Sequence, residues 1–103
     1  MPLIAPSKES AIAATIAQAA VELQPDVEHI FWNVGQDWSG DLGLFLRVVL
    51  SDAAARRRQV FRLTEKLRED LLTRLQPDEL GLIPYFSFRS SSEQAELREK
   101  AWT

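Results

Sequence analysis

The chain of 103 residues contains no cysteine, which excludes disulfides and thiolate chemistry and fits a reducing compartment. It has a single histidine, His29, so a metal site would need carboxylate help. With one His and no Cys, no Ser–His–acid or Cys–His constellation can be argued from the sequence. Apolar runs are short, and none approaches the length needed to cross a bilayer. Met1-Pro2-Leu3-Ile4 is too short for a secretory apolar region and lacks a basic flank, so the expected location is cytoplasmic, with no membrane partner. Positive charge is scarce as well: a net charge of −3 disfavours a general nucleic-acid binder while leaving room for a local basic patch. Internal repeats and low-complexity stretches are absent, and Ser90-Ser91-Ser92 is too short for a linker.

What remains is an ordinary globular composition, 46% apolar and 26% charged, in a length that suits one domain over residues 1–103. Ser7 is a natural N-cap, and Ile12, Ile16, Ala19 or Ala20 and Leu23 form one stripe of a first helix that Gln24-Pro25-Asp26 ends. Val27 to Val34 is rich in residues that favour a pleated surface and reads as a strand. A polar, glycine-bounded connection follows over residues 35–41. Leu42, Leu44, Leu46, Val48 and Leu50 then alternate without a break, which makes a strand and sends these five aliphatic side chains to the core. Ser51-Asp52 caps a second helix expected to run to about Leu75, where Pro77 stops it. Its buried stripe is Val60, Leu63, Leu67, Leu71 and Leu75. Leu82 to Arg89 reads as a third strand, with Pro84 placing its start at a sheet edge. Ser90-x-x-Glu93 resembles a capping box, and a short helical pattern runs on to Trp102.

The order αββαβ predicts an α+β domain of two layers: a three-stranded mixed sheet with two helices on one face. The third strand should run parallel to the second through a right-handed crossover; its place beside the first or the second strand stays open. Residues 91–103 are expected to form a flexible or partner-docking tail.

Two helices on one side leave the other side of the sheet bare, and alternation names its occupants. With Ile30, Trp32 and Val34 inward, His29, Phe31 and Asn33 point out; Phe45, Arg47 and Val49 join them, then Tyr85, Ser87 and Arg89. Aromatic rings mixed with guanidiniums suit an interface better than a solvated surface. One reading has Phe31, Phe45, Arg47, Tyr85, Arg89 and Trp102 bind a protein partner, a second copy, or the chain's own C-terminal segment. A second has Phe31, Phe45 and Tyr85 stack bases of a single strand while Arg47 and Arg89 hold phosphates, as in RRM-type sheets. That reading also draws on His29 and Asn33, and on Arg56, Arg57 and Arg58, the densest positive charge in the chain. A small-molecule pocket is the third. The Arg triplet stands near the start of the expected second helix, the unfavourable end for the macrodipole. Asp37 and Asp41 share one loop and are explained by turn chemistry as well as by acid–base or metal work. Gly40-Asp-Leu-Gly43 has the spacing of a KH-domain GxxG loop but joins two strands and carries Asp where a base would help.

The stretches 25–35 and 40–52, with Gly35, Gly40 and Gly43 between hydrophobic runs, resemble the core of small nucleotidyltransferase domains. That family leads a helix into a strand ending in Gly-Ser, then a strand bearing paired acids for Mg²⁺, then a helix and a strand. Here Gly35-Gln36 replaces Gly-Ser, and after Asp41 no second carboxylate appears before Asp52. The resemblance therefore implies a relative without the catalytic residues, of the antitoxin type whose role is to bind a partner. No cofactor, metal or catalytic residue is expected. The alternatives are the single-strand nucleic-acid module and a degenerate nucleotide binder acting near Asp37 and Asp41.

Overall fold

The computed structural model describes residues 3–97. Its elements are α1 (Pro6–Glu22), β1 (Val27–Gln36), β2 (Leu42–Leu50), α2 (Asp52–Ala55), α3 (Val60–Leu75), β3 (Ile83–Ser90) and α4 (Ser91–Leu97). The sheet has three strands in the order β1-β2-β3, with β1 antiparallel and β3 parallel to β2. The position left open by the sequence is thereby resolved: β3 lies beside β2, and the strand with the cleanest alternation is the central one.

The helix-side core joins Ile12, Ile16 and Ala19 of α1, Leu44, Leu46, Val48 and Leu50 of β2, and Leu67, Leu71 and Leu75 of α3. Trp32, Val34, Phe86 and Phe88 are half-buried against it from the two outer strands. Arg74 ties the two long helices, donating from Nη2 to Glu22 Oε1 at 2.9 Å and from Nε to Asp70 within its own helix. Glu22 titrates below the usual carboxylate range, because Gln18 and Arg74 both donate to it.

Three local details differ from the sequence reading. Helix α1 starts one residue before Ser7, with Pro6 in its first turn and Ala5 as an N-cap that makes no side-chain bond. Proline's fixed φ and missing N–H suit that position, so it outcompetes the Ser7 cap. Strand β1 carries an irregularity at Glu28: Val27 pairs with Leu50 but His29 with Val49. Strict alternation would set Val27 and Ile30 on opposite faces. The extra residue lets both bury, at 1% and 6% exposure.

The expected continuous second helix is broken over residues 56–59 into α2 and α3. An ideal helix turns about 100° per residue, so the 13 steps from Ala54 to Leu67 would leave them roughly 140° apart around the axis. Both are buried in one core. The break re-phases the chain to allow it. Ser51 caps α2 as expected, its Oγ accepting from Ala54 N at 3.1 Å. Ser90 and Glu93 form the expected capping box, Glu93 N donating to Ser90 Oγ and Ser90 N to Glu93 Oε1.

Candidate functional site: the face of the sheet away from the long helices

The strand registers lay the outward side chains in rows across the sheet. His29, Val49 and Arg89 form one row; Phe31, Arg47 and Ser87 the next; Asn33, Phe45 and Tyr85 the third; Gly35, Gly43 and Ile83 the last. Phe45, Arg47, Tyr85 and Arg89 therefore share one face, opposite Leu44, Leu46 and Val48. The face is not uniformly bare. Val49 is only 4% exposed, and α4 packs against β3 and β2. Phe31, Phe45, Arg47 and Tyr85 are half-buried.

An aromatic ladder occupies the hairpin end. Phe45 and Tyr85 stack with centroids 5.1 Å apart and an 18° tilt, and Trp38 leans on Tyr85 at 5.5 Å. Gly43 makes the stack possible: a Cβ there would stand 2.9 Å from the Tyr85 ring and 3.0 Å from the Phe45 ring. At the other side His29 and Phe31 are in ring contact, with centroids 4.1 Å apart. Trp38 is 86% exposed and was not among the residues singled out from sequence. Its signal was there, a large apolar ring in an otherwise polar loop.

Asp37 anchors that ladder. Its Oδ2 accepts from Tyr85 Oη at 2.7 Å, while Oδ1 accepts from Ser39 N, Ser39 Oγ and Asp41 N. These donors, Tyr85 foremost, hold the Asp37 carboxyl down at about 2, and the same bond pushes the Tyr85 phenol up. Asp41 Oδ2 accepts from Ser39 Oγ at 3.1 Å. The two loop acids are thus parts of a turn tied to Tyr85 of β3 through Asp37. Among the described residues no group of three or more His, Asp and Glu side chains is placed to hold a metal ion.

Arg47 stands at the centre of the face. Its Nη1 donates to Asn33 Oδ1 of the neighbouring strand, while its buried Nε has no partner among the described residues. Among the described residues no carboxylate pairs with it; the ion pairs there involve Arg57 and Arg74. Desolvation lowers its pKa from the ordinary value, the sign of a charge partly removed from water without an opposite charge beside it.

The Arg triplet lies elsewhere, at the break between α2 and α3. Arg57 makes two bonds to the Asp26 carboxylate, at 2.6 and 3.0 Å, pinning the break to the start of β1. Arg56 is the C-cap of α2, and its Nε donates back to Asp52 O. The break relieves the macrodipole conflict for Arg56, which ends a helix instead of opening one, while Arg58 still stands just before the N-cap of α3. Arg58 is exposed. None of the three joins the sheet residues His29 and Asn33. Trp102 lies outside the described residues, as does the end of the proposed docking tail.

No helix among the described residues is long and apolar enough to cross a membrane. Comparison of the chain with protein-family models, curated proteins and solved structures finds no match.

Proposed function

We propose that this chain is a non-catalytic cytoplasmic interaction protein, regulatory in the antitoxin-like sense, that binds a partner protein through the aromatic–Arg face. The partner presents a carboxylate to Arg47, set among apolar groups that cover Phe31, Phe45 and Tyr85. One observation carries this reading: a half-buried guanidinium, in register with Phe31 and on one face with Phe45 and Tyr85, whose only polar partner among the described residues is a neutral amide. Holding such a charge without a counter-ion costs the isolated chain stability, and a carboxylate brought by a partner offsets that cost. The rings supply the large, rigid contact area typical of binding hot spots. Against single-stranded nucleic acid stand Asp37 and Asp41 at the hairpin end of the same face, where they repel phosphates.

The test uses affinity capture by the full chain, identification of the captured protein, and titration of the purified pair. Arg47→Met and the double change Phe45→Ala with Tyr85→Ala should each weaken the purified complex at least about tenfold. Circular dichroism should show both variants folded. Unchanged affinity in both variants overturns the reading. So does salt-sensitive binding of single strands that is lost in Arg47→Ala with Arg89→Ala, which assigns the face to nucleic acid instead. Chemical-shift changes around Asp37 and Asp41 on adding ATP and Mg²⁺ favour the nucleotide-binding alternative.

A further inference from the structure

A second apolar surface lies on the opposite side of β3. Phe61 of α3 is 83% exposed, an unusual position for a phenyl ring. Beside it Phe86 and Phe88 stack with an 8° tilt, half-buried under α3, and Arg68 lies over the Phe86 ring at 5.6 Å. Phe61, Thr64, Glu65 and Arg68 form one wall of the resulting cleft and Phe86 and Phe88 the other, enclosing about 240 Å³. One border of this cleft is a sheet edge, because among the described residues β3 pairs only with β2.

The two edges of the sheet differ in protection. Strand β1 carries the irregularity at Glu28, a feature that discourages pairing with another chain. Strand β3 has Pro84 near its start, but its register with β2 runs unbroken from Ile83 to Ser90. From Tyr85 onward it presents a regular edge whose only formal charge is Arg89.

We infer that this chain forms a two-fold homodimer in which β3 pairs antiparallel with β3 of a second copy about an axis near Ser87, extending the sheet to six strands, while the α3 clefts close on each other. An axis there sets Phe86 opposite Phe88 of the other copy. Because α3 carries Phe61 and Arg68 along the same stretch of β3, Arg68 then falls between Phe61 and Glu65 of the other copy. Those two are one helical turn apart. Among the described residues neither Glu65 nor Arg68 enters an ion pair. The patch is thus self-complementary, as a two-fold interface requires: acid meets base, and a ring meets a guanidinium. The clefts lie on the helix side of the sheet, opposite the aromatic–Arg face, although pairing at the edge sets Tyr85 opposite Arg89 of the other copy. Phe61→Asp acts on the helix side alone, so loss of the dimer with partner affinity retained, or the reverse, tells the two readings apart.

The chain contains no cysteine, so Ser87→Cys introduces a unique thiol at the inferred axis. Sedimentation of the full chain at high micromolar concentration should give twice the chain mass, and mild oxidation of Ser87→Cys should lock that dimer covalently. Phe61→Asp should raise the dimer dissociation constant at least about tenfold and suppress the cross-link. Because Phe61 is so exposed, the variant keeps its fold, which circular dichroism checks. Arg68→Glu should weaken the dimer, and adding Glu65→Arg should restore it. A monomer at every concentration overturns the inference. So does a dimer indifferent to Phe61→Asp, or one lost only on substitution of Phe45.

Discussion

The two faces of β2 are made from alternate residues of one nine-residue strand, and they are built on different principles. Leu44, Leu46 and Val48 face the long helices and are at most 1% exposed. Phe45 and Arg47 face the other way, half-buried among rings, an amide and a hairpin loop. The first set is aliphatic and interchangeable in chemistry; its contribution is volume and area removed from water, about 1.5–3 kcal/mol for each large side chain. The second set is specific in chemistry and modest in burial. Stability is concentrated on one face, and the proposed recognition falls on the other.

The sharpest way to break this comparison is to truncate one residue of each face. Leu46→Ala should cost about 2–5 kcal/mol in denaturant unfolding, because the cavity sits under α1 and α3 and cannot collapse fully. Phe45→Ala, one residue away, should cost about 2 kcal/mol or less, since its ring keeps partial contact with water. Equal losses at the two sites would show that the Phe45 face is a second core. Arg47→Met tests the same contrast from the other side. It keeps most of the side-chain volume and removes the uncompensated charge, so the isolated chain should lose nothing and gain up to about 1 kcal/mol. A clear loss would mean that the Arg47–Asn33 bond stabilises the sheet more than desolvation costs it.

Much of this architecture was legible because one strand announces its parity. Alternation from Leu42 to Leu50 assigned both faces of β2, and the face residues on β1 and β3 followed from alternation within those strands. What escaped was decided by contacts distant in sequence. Arg56-Arg57-Arg58-Gln59 holds neither Gly nor Pro, so nothing local marks a helix break. The break follows from the phase of Ala54 against Leu67 and from the tie between Arg57 and Asp26, 31 residues apart. The bulge at Glu28 shows only once Val27 and Ile30 are required to share a core. Asp37 and Tyr85 lie 48 residues apart, and no local pattern couples a turn acid to a ring on an edge strand. Trp38 was visible as a residue but not as part of the face, because its role depends on where the hairpin loop folds.

Smaller effects should follow at the margins of each face. Gly43→Ala places a methyl against two stacked rings, one of them tied to Asp37 through its hydroxyl. Opening the stack should cost about 1–3 kcal/mol in chemical denaturation and shift the Tyr85 ring resonances. If the rings move aside freely, stability will not change and the ladder is not a fixed platform. On the helix side, Arg57→Ala removes a bidentate pair in which the arginine is 52% and the aspartate 27% exposed. Water screens such a pair, so the loss should be about 1 kcal/mol or less, seen as a small shift in the unfolding midpoint.

The least perturbing test is titration, which separates the faces without any substitution. The Asp37 carboxyl lies at about 2 in the folded chain against 3.8 when unperturbed. Between those values the unfolded chain binds a proton that the folded chain does not, so stability rises with pH across that window. The contribution of Asp37 is complete above 3.8 and is lost as pH falls through about 2. Carboxyl carbon resonances followed by NMR should place the Asp37 midpoint well below those of exposed aspartates. Tyr85→Phe removes the foremost cause, and the midpoint should climb back toward 3.8. Glu22, also held low but by Gln18 and Arg74, should not respond, because it reports the tie between α1 and α3 on the other side. A Glu22 response to Tyr85→Phe would mean that the two faces communicate through β2, and that loosening the aromatic ladder reaches the aliphatic core.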